Sequence, residues 1–327
     1  MRNMRFGTEA VLALLIVILC VFLSLTTSSF LSLQNLFDLM NNQSVNIIFA
    51  VGLVVVLIAG GIDISFAVAA SVVQYVVLTL LLSVGGGNWV SGLALAAVCG
   101  GLLGLFNAFL IQKFRIVSII ATIGTFNLYF GLLMYFTSGV SIYDIPDWLY
   151  DPVPLVALPA ERGTATLYLP VAVMIVMASL TWFILTRTGF GRSVYGYGSS
   201  PEAALRSGVR AWQVQAFAYG WLGLCAGIAG MMQAHIVQEA VPNALNGQEL
   251  PILASVVLGG ATLGGGRGTV IGAILGVLLL AVVQNGLNLM GVTPYAFQMI
   301  VGFIILVAIT ASNLDRILPG RTRSKEV

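Results

Sequence analysis

Charged side chains are scarce in this chain of 327 residues, of which only 8% are Asp, Glu, Lys or Arg. The chain also has a single histidine and three cysteines. Such a composition offers no catalytic triad, no paired carboxylates and no cluster of metal ligands at a characteristic spacing. We therefore expect no enzyme active site, no bound metal ion and no nucleic-acid partner.

Two further absences concern energy supply and cross-linking. No glycine is followed by lysine, so the chain lacks the phosphate-binding loop G-x-x-x-x-G-K-[ST]. The glycine-rich run 264–268 is interpreted as a tight turn. Cys20, Cys99 and Cys225 lie in apolar runs without metal or redox spacing, which is typical of small hydrophobic residues. We expect the chain itself to bind no cofactor.

Apolar sequence dominates the chain, with 59% hydrophobic residues and a mean hydropathy of +1.01. A bilayer core about 30 Å thick needs roughly 20 apolar residues per helix. Ten runs approach this length: 10–30, 45–60, 64–84, 89–112, 117–137, 166–185, 212–235, 250–263, 269–290 and 294–312. The predicted fold class is an all-α, polytopic membrane protein with about 10 transmembrane helices, in one domain over residues 1–327.

The eighth run, 250–263, is shorter than a full span and follows Asn246, Gln248 and Glu249. We interpret it as a crossing that begins in a polar entrance. A half-helix that turns back is the alternative. That alternative would place the basic C-terminal tail outside, against the usual distribution of positive charge.

Basic residues are distributed unevenly among the gaps between these runs. With the N-terminus inside, thirteen of the fourteen Lys and Arg residues fall in cytoplasmic gaps, and only Arg162 falls outside. The pattern predicts that both termini are cytoplasmic. It also predicts a periplasmic loop at 139–166, a cytoplasmic loop at 187–211 and a basic cytoplasmic tail at 313–327.

Ionisable residues are nearly absent from the predicted spans. Ion-driven carriers usually place several such groups at mid-membrane. Asp63 and His235 lie near predicted helix ends on opposite faces, so we expect no proton relay between them. The energy for any transport is therefore expected to come from another subunit.

The cytoplasmic loop 187–211 contains signals for a short helix of its own. Ser200 is a good N-cap, Pro201 suits the first helical position, and Gly208 can end the helix in a left-handed conformation. Such a short helix does not persist alone in water, so we expect it to dock on a cytoplasmic protein. The alternative is a basic loop on anionic lipid headgroups, because four arginines surround the helix: Arg187, Arg192, Arg206 and Arg210.

The segment 60–65, Gly-Gly-Ile-Asp-Ile-Ser, interrupts a long apolar stretch. Two helix-weakening glycines predict a break in the helix at this point. Asp63 is predicted to cap the next helix, which would stabilise it by about 1 kcal/mol. Orientation of a polar substrate or a gate is the alternative role.

Glycines four residues apart occur at Gly223 and Gly227, and again at Gly268, Gly272 and Gly276. This spacing is typical of closely packed membrane helices. The contacts could lie within one subunit or between two, and the spacing does not separate these cases.

Uncharged polar side chains in or beside the spans suit a hydroxyl-rich solute. The candidates for the translocation pathway are Asn42, Asn46, Asp63, Ser65, Thr122, Asn127 and Gln298. For most such residues, helix-to-helix hydrogen bonding worth about 0.6 kcal/mol is the alternative. The acidic, proline-containing loop 139–166 predicts either a docking surface for an extracellular binding protein or a solvated loop.

Four stretches carry a family resemblance. They are 60–65; 119–125 (Ile-Ile-Ala-Thr-Ile-Gly-Thr); 188–208 in the cytoplasmic loop; and 254–269, which contains Ala-Ser-Val-Val-Leu-Gly-Gly and Gly-Gly-Gly-Arg-Gly-Thr. Together, in this order, they resemble the membrane permease subunits of bacterial ATP-binding-cassette (ABC) importers for ribose and similar simple sugars. The chain departs from the family pattern at Phe66-Ala67 and at Ser199-Ser200-Pro201, which fits a divergent member.

The resemblance implies a translocator in the bacterial inner membrane that works as a homodimer or heterodimer of permeases. It implies two cytoplasmic ATPase domains, which would hold ATP and Mg²⁺, and a periplasmic sugar-binding protein. The residues assigned to coupling with the ATPase are Gly191, Arg192, Gly198, Ser200, Pro201, Glu202, Ala203, Ala204, Arg206, Ser207 and Gly208.

The predicted function is passage of a ribose-like monosaccharide by alternating access, driven by an ATPase that pushes on the helix at 200–208. Three alternatives remain open. They are an ABC permease for another small solute such as an autoinducer or amino acid, a self-sufficient secondary sugar carrier, and a membrane scaffold or sensor component.

Overall fold

Long apolar helices make up most of the structure, a computed structural model that describes residues 7–160, 163–293, 295–296, 299–300 and 302–303. Eight helices in this part of the chain are long and apolar enough to cross a membrane. They are α1 (Thr8–Thr26), α2 (Leu33–Ile58), α3 (Phe66–Ser83), α4 (Trp89–Phe114), α5 (Ser118–Thr137), α7 (Leu169–Arg187), α10 (Ala211–Val237) and α12 (Val270–Leu289).

Shorter elements lie between these helices. They are α6 (Asp147–Tyr150), β1 (Pro154–Ala160), β2 (Gly163–Tyr168), α8 (Gly189–Ser199), α9 (Pro201–Arg206) and α11 (Glu249–Leu258). The tenth predicted run, 294–312, lies mostly outside the described residues, and the predicted tail 313–327 lies wholly outside them.

The bundle has two ends that can be told apart by their short elements. Helix α7 runs directly from β2 to α8, and its 19 residues separate these elements by about 28 Å. We call the end with the β1–β2 hairpin the hairpin side, and the end with α8 and α9 the α9 side. The charge distribution predicts that the α9 side is cytoplasmic.

Helix α11 is only 10 residues long, so it covers about 15 Å of the bilayer. Helix α10 ends on the hairpin side, where His235 contacts α6. Helix α12 begins on the α9 side, where the carbonyl of Gly268 accepts a hydrogen bond from Tyr195 of α8. The segment between α10 and α12 therefore crosses the bundle, partly as irregular chain. This agrees with the interpretation of run 250–263 as a crossing.

The hairpin is the main departure from an all-α architecture, because residues 139–166 were expected to be a loop. Strands β1 and β2 pair antiparallel, with Ala160 opposite Gly163. Asn41 of α2 holds the hairpin through its side-chain amide. Its Nδ2 donates to the carbonyl of Thr166 at 2.9 Å, and its Oδ1 accepts from the backbone N–H of Tyr168 at 3.1 Å.

Helix α2 begins twelve residues before the predicted run 45–60, at Leu33. The side chain of Ser32 caps it by accepting a hydrogen bond from the N–H of Asn35 at 3.2 Å. Asn35 and Asn285 of α12 also exchange amide hydrogen bonds at 3.0 and 2.8 Å. Asp38, which falls between the predicted runs 10–30 and 45–60, therefore lies on a helix.

Glycines produce a close helix crossing between α4 and α10. A Cβ atom on Gly100 would overlap the carbonyl oxygen of Gly223, and one on Gly227 would overlap that of Ala96. Gly272 and Gly276 pack in the same way against α11. The spaced glycines of α10 and α12 thus make contacts within one chain. The three cysteines take no part in disulfides, and Cys225 is fully buried.

Candidate functional site

Helix α9 forms where the sequence predicted it and ends as expected. Pro201 occupies its first position, and Glu202 and Arg206 are exposed. At its C-terminus the N–H of Val209 donates to the carbonyl of Ala204 at 3.0 Å, and that of Gly208 donates to Leu205 at 3.1 Å. These two bonds form a Schellman motif, which requires the positive φ of 86° found at Gly208.

One detail of the predicted cap is wrong. Ser200 stands at the N-cap position of α9, but its side chain makes no capping hydrogen bond. Its backbone carbonyl accepts from the N–H of Ala204 at 3.0 Å instead. Proline at the first helical position already removes one of the N–H groups that a cap would satisfy.

A second helix, α8, precedes α9 and was not predicted. Thr188 caps it by accepting a hydrogen bond from the N–H of Gly191 at 3.1 Å. Gly191 is buried against the carbonyls of Ile184 and Leu185. Arg192 on the same helix is exposed. Helix α8 therefore connects the end of α7 to α9 and packs against the α9 side of the bundle.

The end of α8 meets two other parts of the chain at four glycines: Gly60, Gly198, Gly265 and Gly266. We call this contact the glycine junction. The N–H of Gly266 donates to the carbonyl of Ile58, the last residue of α2, at 2.8 Å. A Cβ on Gly198 would overlap that carbonyl oxygen and lie 2.7 Å from the nitrogen of Gly266.

Tyr195 of α8 adds a side-chain contact near the glycine junction. Its hydroxyl donates to the carbonyl of Gly268 at 2.8 Å. Burial raises the pKa of Tyr195, and the nearby carboxylate of Glu9 raises this pKa further. The hydroxyl therefore stays protonated at neutral pH and remains a donor. Backbone and side-chain contacts together join α8 to α2 and to the loop between α11 and α12.

Beyond the glycine junction, the break between α2 and α3 contains a buried polar cluster. Asp63 is 3% exposed and Asn107 of α4 is 2% exposed. Oδ1 of Asp63 accepts from both the N–H and the hydroxyl of Ser65 at 2.7 Å, and Oδ2 accepts from Asn107 at 3.1 Å. Asn107 also donates to the hydroxyl oxygen of Ser65 at 2.8 Å.

The cluster corrects the predicted role of Asp63. The carboxylate does not cap α3, whose N-cap residue is Ser65. It accepts from the backbone two residues ahead, as in an Asx-turn, and so orders the break itself. Asn107 lies 44 residues from Asp63, so no local pattern in the sequence connects the two.

Two substitutions of Asp63 are expected to distinguish the effect of its hydrogen bonds on stability from the effect of its negative charge. Asp63→Ala removes all three hydrogen-bond acceptor contacts and should destabilise the protein by about 2 kcal/mol or more. Asp63→Asn should change stability by less than about 1 kcal/mol. The reason is that the amide of Asn107 can flip, so that its Oδ1, which has no partner in the described residues, accepts from the new amide and only the bond to Ser65 is lost.

Thermal unfolding of the purified protein in detergent measures both variants. Equal losses of stability in the two would show that the negative charge, and not the hydrogen bonding, holds the break.

The remaining pathway candidates do not form one site within a single chain. Thr122 is buried beside the break and donates to the carbonyl of Ile62 at 3.3 Å. Asn46 donates to Gln43 at 2.9 Å on the same helix. Asn127 is exposed on α5 and donates to Ile123 of the turn before it. Gln298 lies outside the described residues.

Asn42 lines a separate cavity on the hairpin side, together with His235. The sequence placed His235 near a helix end and assigned it no function. Its contact with α6 lies 86 residues away along the chain, so no local signal identified it.

The model of a transport family, described as "Branched-chain amino acid transport system / permease component", matches residues 35–309. This chain belongs to that family. The permease is 33% identical over 321 residues to the ribose import permease of Escherichia coli K12, with 93% of each chain covered.

Two further relatives widen the comparison. The ribose import permease of Bacillus subtilis 168 is 30% identical over 303 residues, which cover 91% of this chain and 90% of the relative. The autoinducer 2 import system permease of Photorhabdus laumondii is 34% identical over 300 residues, which cover 89% and 86%. No solved structure matches the permease significantly.

Membership of this family confirms several predictions. The chain is a multi-pass permease of the inner membrane and a transport component, not an enzyme. The resemblance to importer permeases is confirmed as well. In general terms, an import permease implies a partner ATPase and a periplasmic binding protein. The sidedness of the spans and the roles of individual residues stay predictions.

Proposed function

We propose that this permease is the membrane-spanning subunit of an ABC importer that admits a ribose-like monosaccharide. The permease holds no energy source of its own, and ATP with Mg²⁺ binds to a cytoplasmic ATPase. Two copies, or this chain and a related one, enclose the pathway, and a periplasmic binding protein delivers the sugar. The names of the relatives support the solute class.

The observation that carries the proposal is the way α9 is attached to the bundle. Helix α9 exposes Pro201, Glu202 and Ala203, and too few of its residues are buried for it to be stable alone. It continues directly from α8, whose last turn lies in the glycine junction. A push on α9 therefore reaches the end of α2 and the loop before α12 through backbone contacts.

Close backbone packing suits the transmission of small movements. Atoms in van der Waals contact cannot move independently, and packed interfaces change between discrete arrangements. In the proposed cycle, the ATPase moves α9, the glycine junction moves the break at Gly60–Ser65 with it, and the spans tilt to open the opposite side. The other coupling residues lie on the same two helices or the turn after them: Gly191, Arg192, Ser200, Ala204, Arg206, Ser207 and Gly208.

Charge reversal at Glu202 is expected to uncouple the importer. Glu202 is exposed on α9, and its side chain makes no hydrogen bond within the described residues, so Glu202→Lys should leave the permease folded. In proteoliposomes with the co-purifying ATPase and binding protein, we expect ribose uptake to fall at least about tenfold, equivalent to about 1.4 kcal/mol, while ATP hydrolysis continues.

Lys113→Glu is the control, because Lys113 is an exposed residue at the end of α4 on the α9 side and lies outside the residues assigned to coupling. It also reverses a charge and should leave the ratio of uptake to hydrolysis unchanged. If Glu202→Lys transports normally, α9 is not the coupling element. If the permease alone accumulates ribose against a gradient, a self-sufficient carrier replaces the whole proposal.

An autoinducer 2 importer is the second candidate, supported by the relative from Photorhabdus laumondii. Both solutes are small and hydroxylated, so the same uncharged polar pathway would serve either. Direct uptake of each labelled solute separates them, because the native solute should be transported with the higher ratio of kcat to KM.

A further inference from the structure

The hairpin side contains a cavity of about 300 Å³, which we call the outer cavity. Its walls come from the start of α2, the chain around the hairpin and the end of α10. The residues that line it are Asp38, Asn41, Asn42, Pro152, Tyr168, Pro170, His235, Ile236 and Gln238. Its volume lies at the lower end of the range for small-molecule sites, about 300–1,000 Å³.

His235 is the most constrained polar group of the outer cavity. The side chain is 5% exposed, and its Nδ1 lies 2.5 Å from the carbonyl oxygen of Leu149. A carbonyl only accepts hydrogen bonds, so Nδ1 carries a proton, and in the imidazole tautomer with that proton the lone pair lies on Nε2. Trp89 packs edge-on against the imidazole at 5.1 Å and fixes its plane.

Nε2 of His235 has no hydrogen-bond partner in the described residues, although the ring lines the cavity. Nε2 is not among the buried side-chain atoms that lack a partner, so a donor can reach it from the cavity. The arrangement therefore points to a donor that arrives from the cavity.

Among the other polar side chains of the cavity, Asp38 and Gln238 offer acceptors, whereas Asn42 and Tyr168 each offer a donor as well as an acceptor. Asp38 contacts only the amide of Gln34, at 3.3 Å to each oxygen. Gln238 donates its Nε2 to the carbonyl of Tyr150 at 3.0 Å, which leaves its amide oxygen free. By contrast, both amide atoms of Asn41 are occupied by the hairpin.

Acceptors on α2 and at the end of α10, with the donors of Asn42 and Tyr168 beside them, favour a ligand whose hydroxyl groups both donate and accept. A metal ion is disfavoured, because no group of three or more His, Cys, Asp or Glu side chains that could hold one exists in the part of the chain that the structure describes. Hydroxyl groups can satisfy Nε2, the carboxylate and the amide oxygen at the same time.

We propose that the outer cavity binds a small polyhydroxylated solute on the hairpin side, with Nε2 of His235 and the carboxylate of Asp38 as its acceptors. The choice of a sugar-like ligand rests on the proposed function, whereas the acceptor pattern does not. Each chain would then hold its own entry site for solute, separate from the polar cluster at Asp63.

Two substitutions remove one acceptor each and leave the remaining contacts in place. In His235→Asn the amide nitrogen can replace Nδ1 as donor to Leu149, but nothing replaces Nε2. Asp38→Asn removes the charge at an exposed position, where folding should be unaffected. Asp144→Asn is the matched control, because Asp144 is exposed on the hairpin side and does not line the cavity.

The test titrates full-length permease in nanodiscs with D-ribose and follows tryptophan fluorescence, to which Trp89 beside His235 contributes. We expect saturable binding, and we expect His235→Asn and Asp38→Asn each to raise the Kd about tenfold, the effect of one lost hydrogen bond. Asp144→Asn should bind like the unchanged chain. Choline chloride serves as a cationic probe.

Three results would overturn the proposal: no saturation by D-ribose up to about 50 mM, well above the millimolar Kd of a weak site; an unchanged Kd in both variants; or saturation by choline but not by ribose. These outcomes do not depend on coupling to ATP hydrolysis. A complex that transports ribose normally while the variants bind unchanged would refute the outer site alone and leave the proposed function intact.

Discussion

Substitution of Gly198 by alanine is expected to disconnect the importer while the long spans stay assembled. The added methyl group would overlap the carbonyl oxygen of Ile58 and approach the nitrogen of Gly266. Both are backbone atoms of other segments, so neither can move away as a flexible side chain could. The hydrogen bond from Gly266 to Ile58 must lengthen or break, and overpacking of this kind costs about 1–3 kcal/mol.

Gly196→Ala provides a control on the same helix, two residues away. A Cβ at Gly196 would have no atom within 4 Å, and alanine favours a helix over glycine by about 1 kcal/mol. In proteoliposomes with the ATPase, Gly198→Ala should lower ribose uptake at least about tenfold per ATP hydrolysed, whereas Gly196→Ala should keep the ratio. Equal effects of the two variants would mean that the glycine junction transmits nothing.

Gly100→Ala is expected to produce a large loss of stability. Helices α4 and α10 approach so closely that the new Cβ would overlap the carbonyl oxygen of Gly223 and lie 2.9 Å from the nitrogen of Gly227. The two helices must separate along their length, which forfeits dispersion contacts around the crossing. We expect a loss of about 3 kcal/mol, measured as a lower temperature of unfolding in detergent.

The neighbouring glycine supplies the comparison. A Cβ on Gly101 would meet only the carbonyl oxygen of Gly220, at 3.8 Å, which is ordinary van der Waals contact. Gly101→Ala should therefore leave the unfolding temperature unchanged or raise it slightly. If both variants unfold at the temperature of the unchanged protein, the α4–α10 crossing has room for a methyl group at position 100 and this prediction is wrong.

Most of the spans could be predicted because one physical requirement dominates them. A helix in hydrocarbon must be apolar and about 20 residues long, and the runs 89–112 and 117–137 coincide closely with α4 and α5. The start of α2 was missed because its first turns carry polar residues that bond to the hairpin and to Asn285. Hydropathy alone cannot recognise a helix whose end projects from the membrane.

Helix α8 and the hairpin were missed for different reasons. Helix α8 contains four glycines, at 189, 191, 196 and 198, and glycine disfavours helix. Its stability comes from tertiary contacts that require glycine. The hairpin contains Pro154 and Pro159 in β1, and proline usually excludes a strand except at an edge. A two-stranded ribbon with its side chains largely exposed offers no apolar alternation to detect.

In the candidate site, the sequence allowed prediction only of features that depend on neighbouring residues. The caps of α9 follow from neighbouring residues, and Pro201 and Gly208 indicated them correctly. The partners of Asp63 and His235 lie 44 and 86 residues away. Such pairings depend on how the helices pack, which a single sequence does not encode in any short pattern.

The positions of the cysteines have a practical consequence for chemical labelling. All three thiols lie within spans α1, α4 and α10, where apolar side chains surround them. A thiol introduced at position 202 on α9, or at position 164 on β2, would therefore be the only one in the chain that faces bulk water. The three native cysteines would not react with a charged maleimide. Each side of the membrane protein can therefore be labelled separately without first replacing these cysteines.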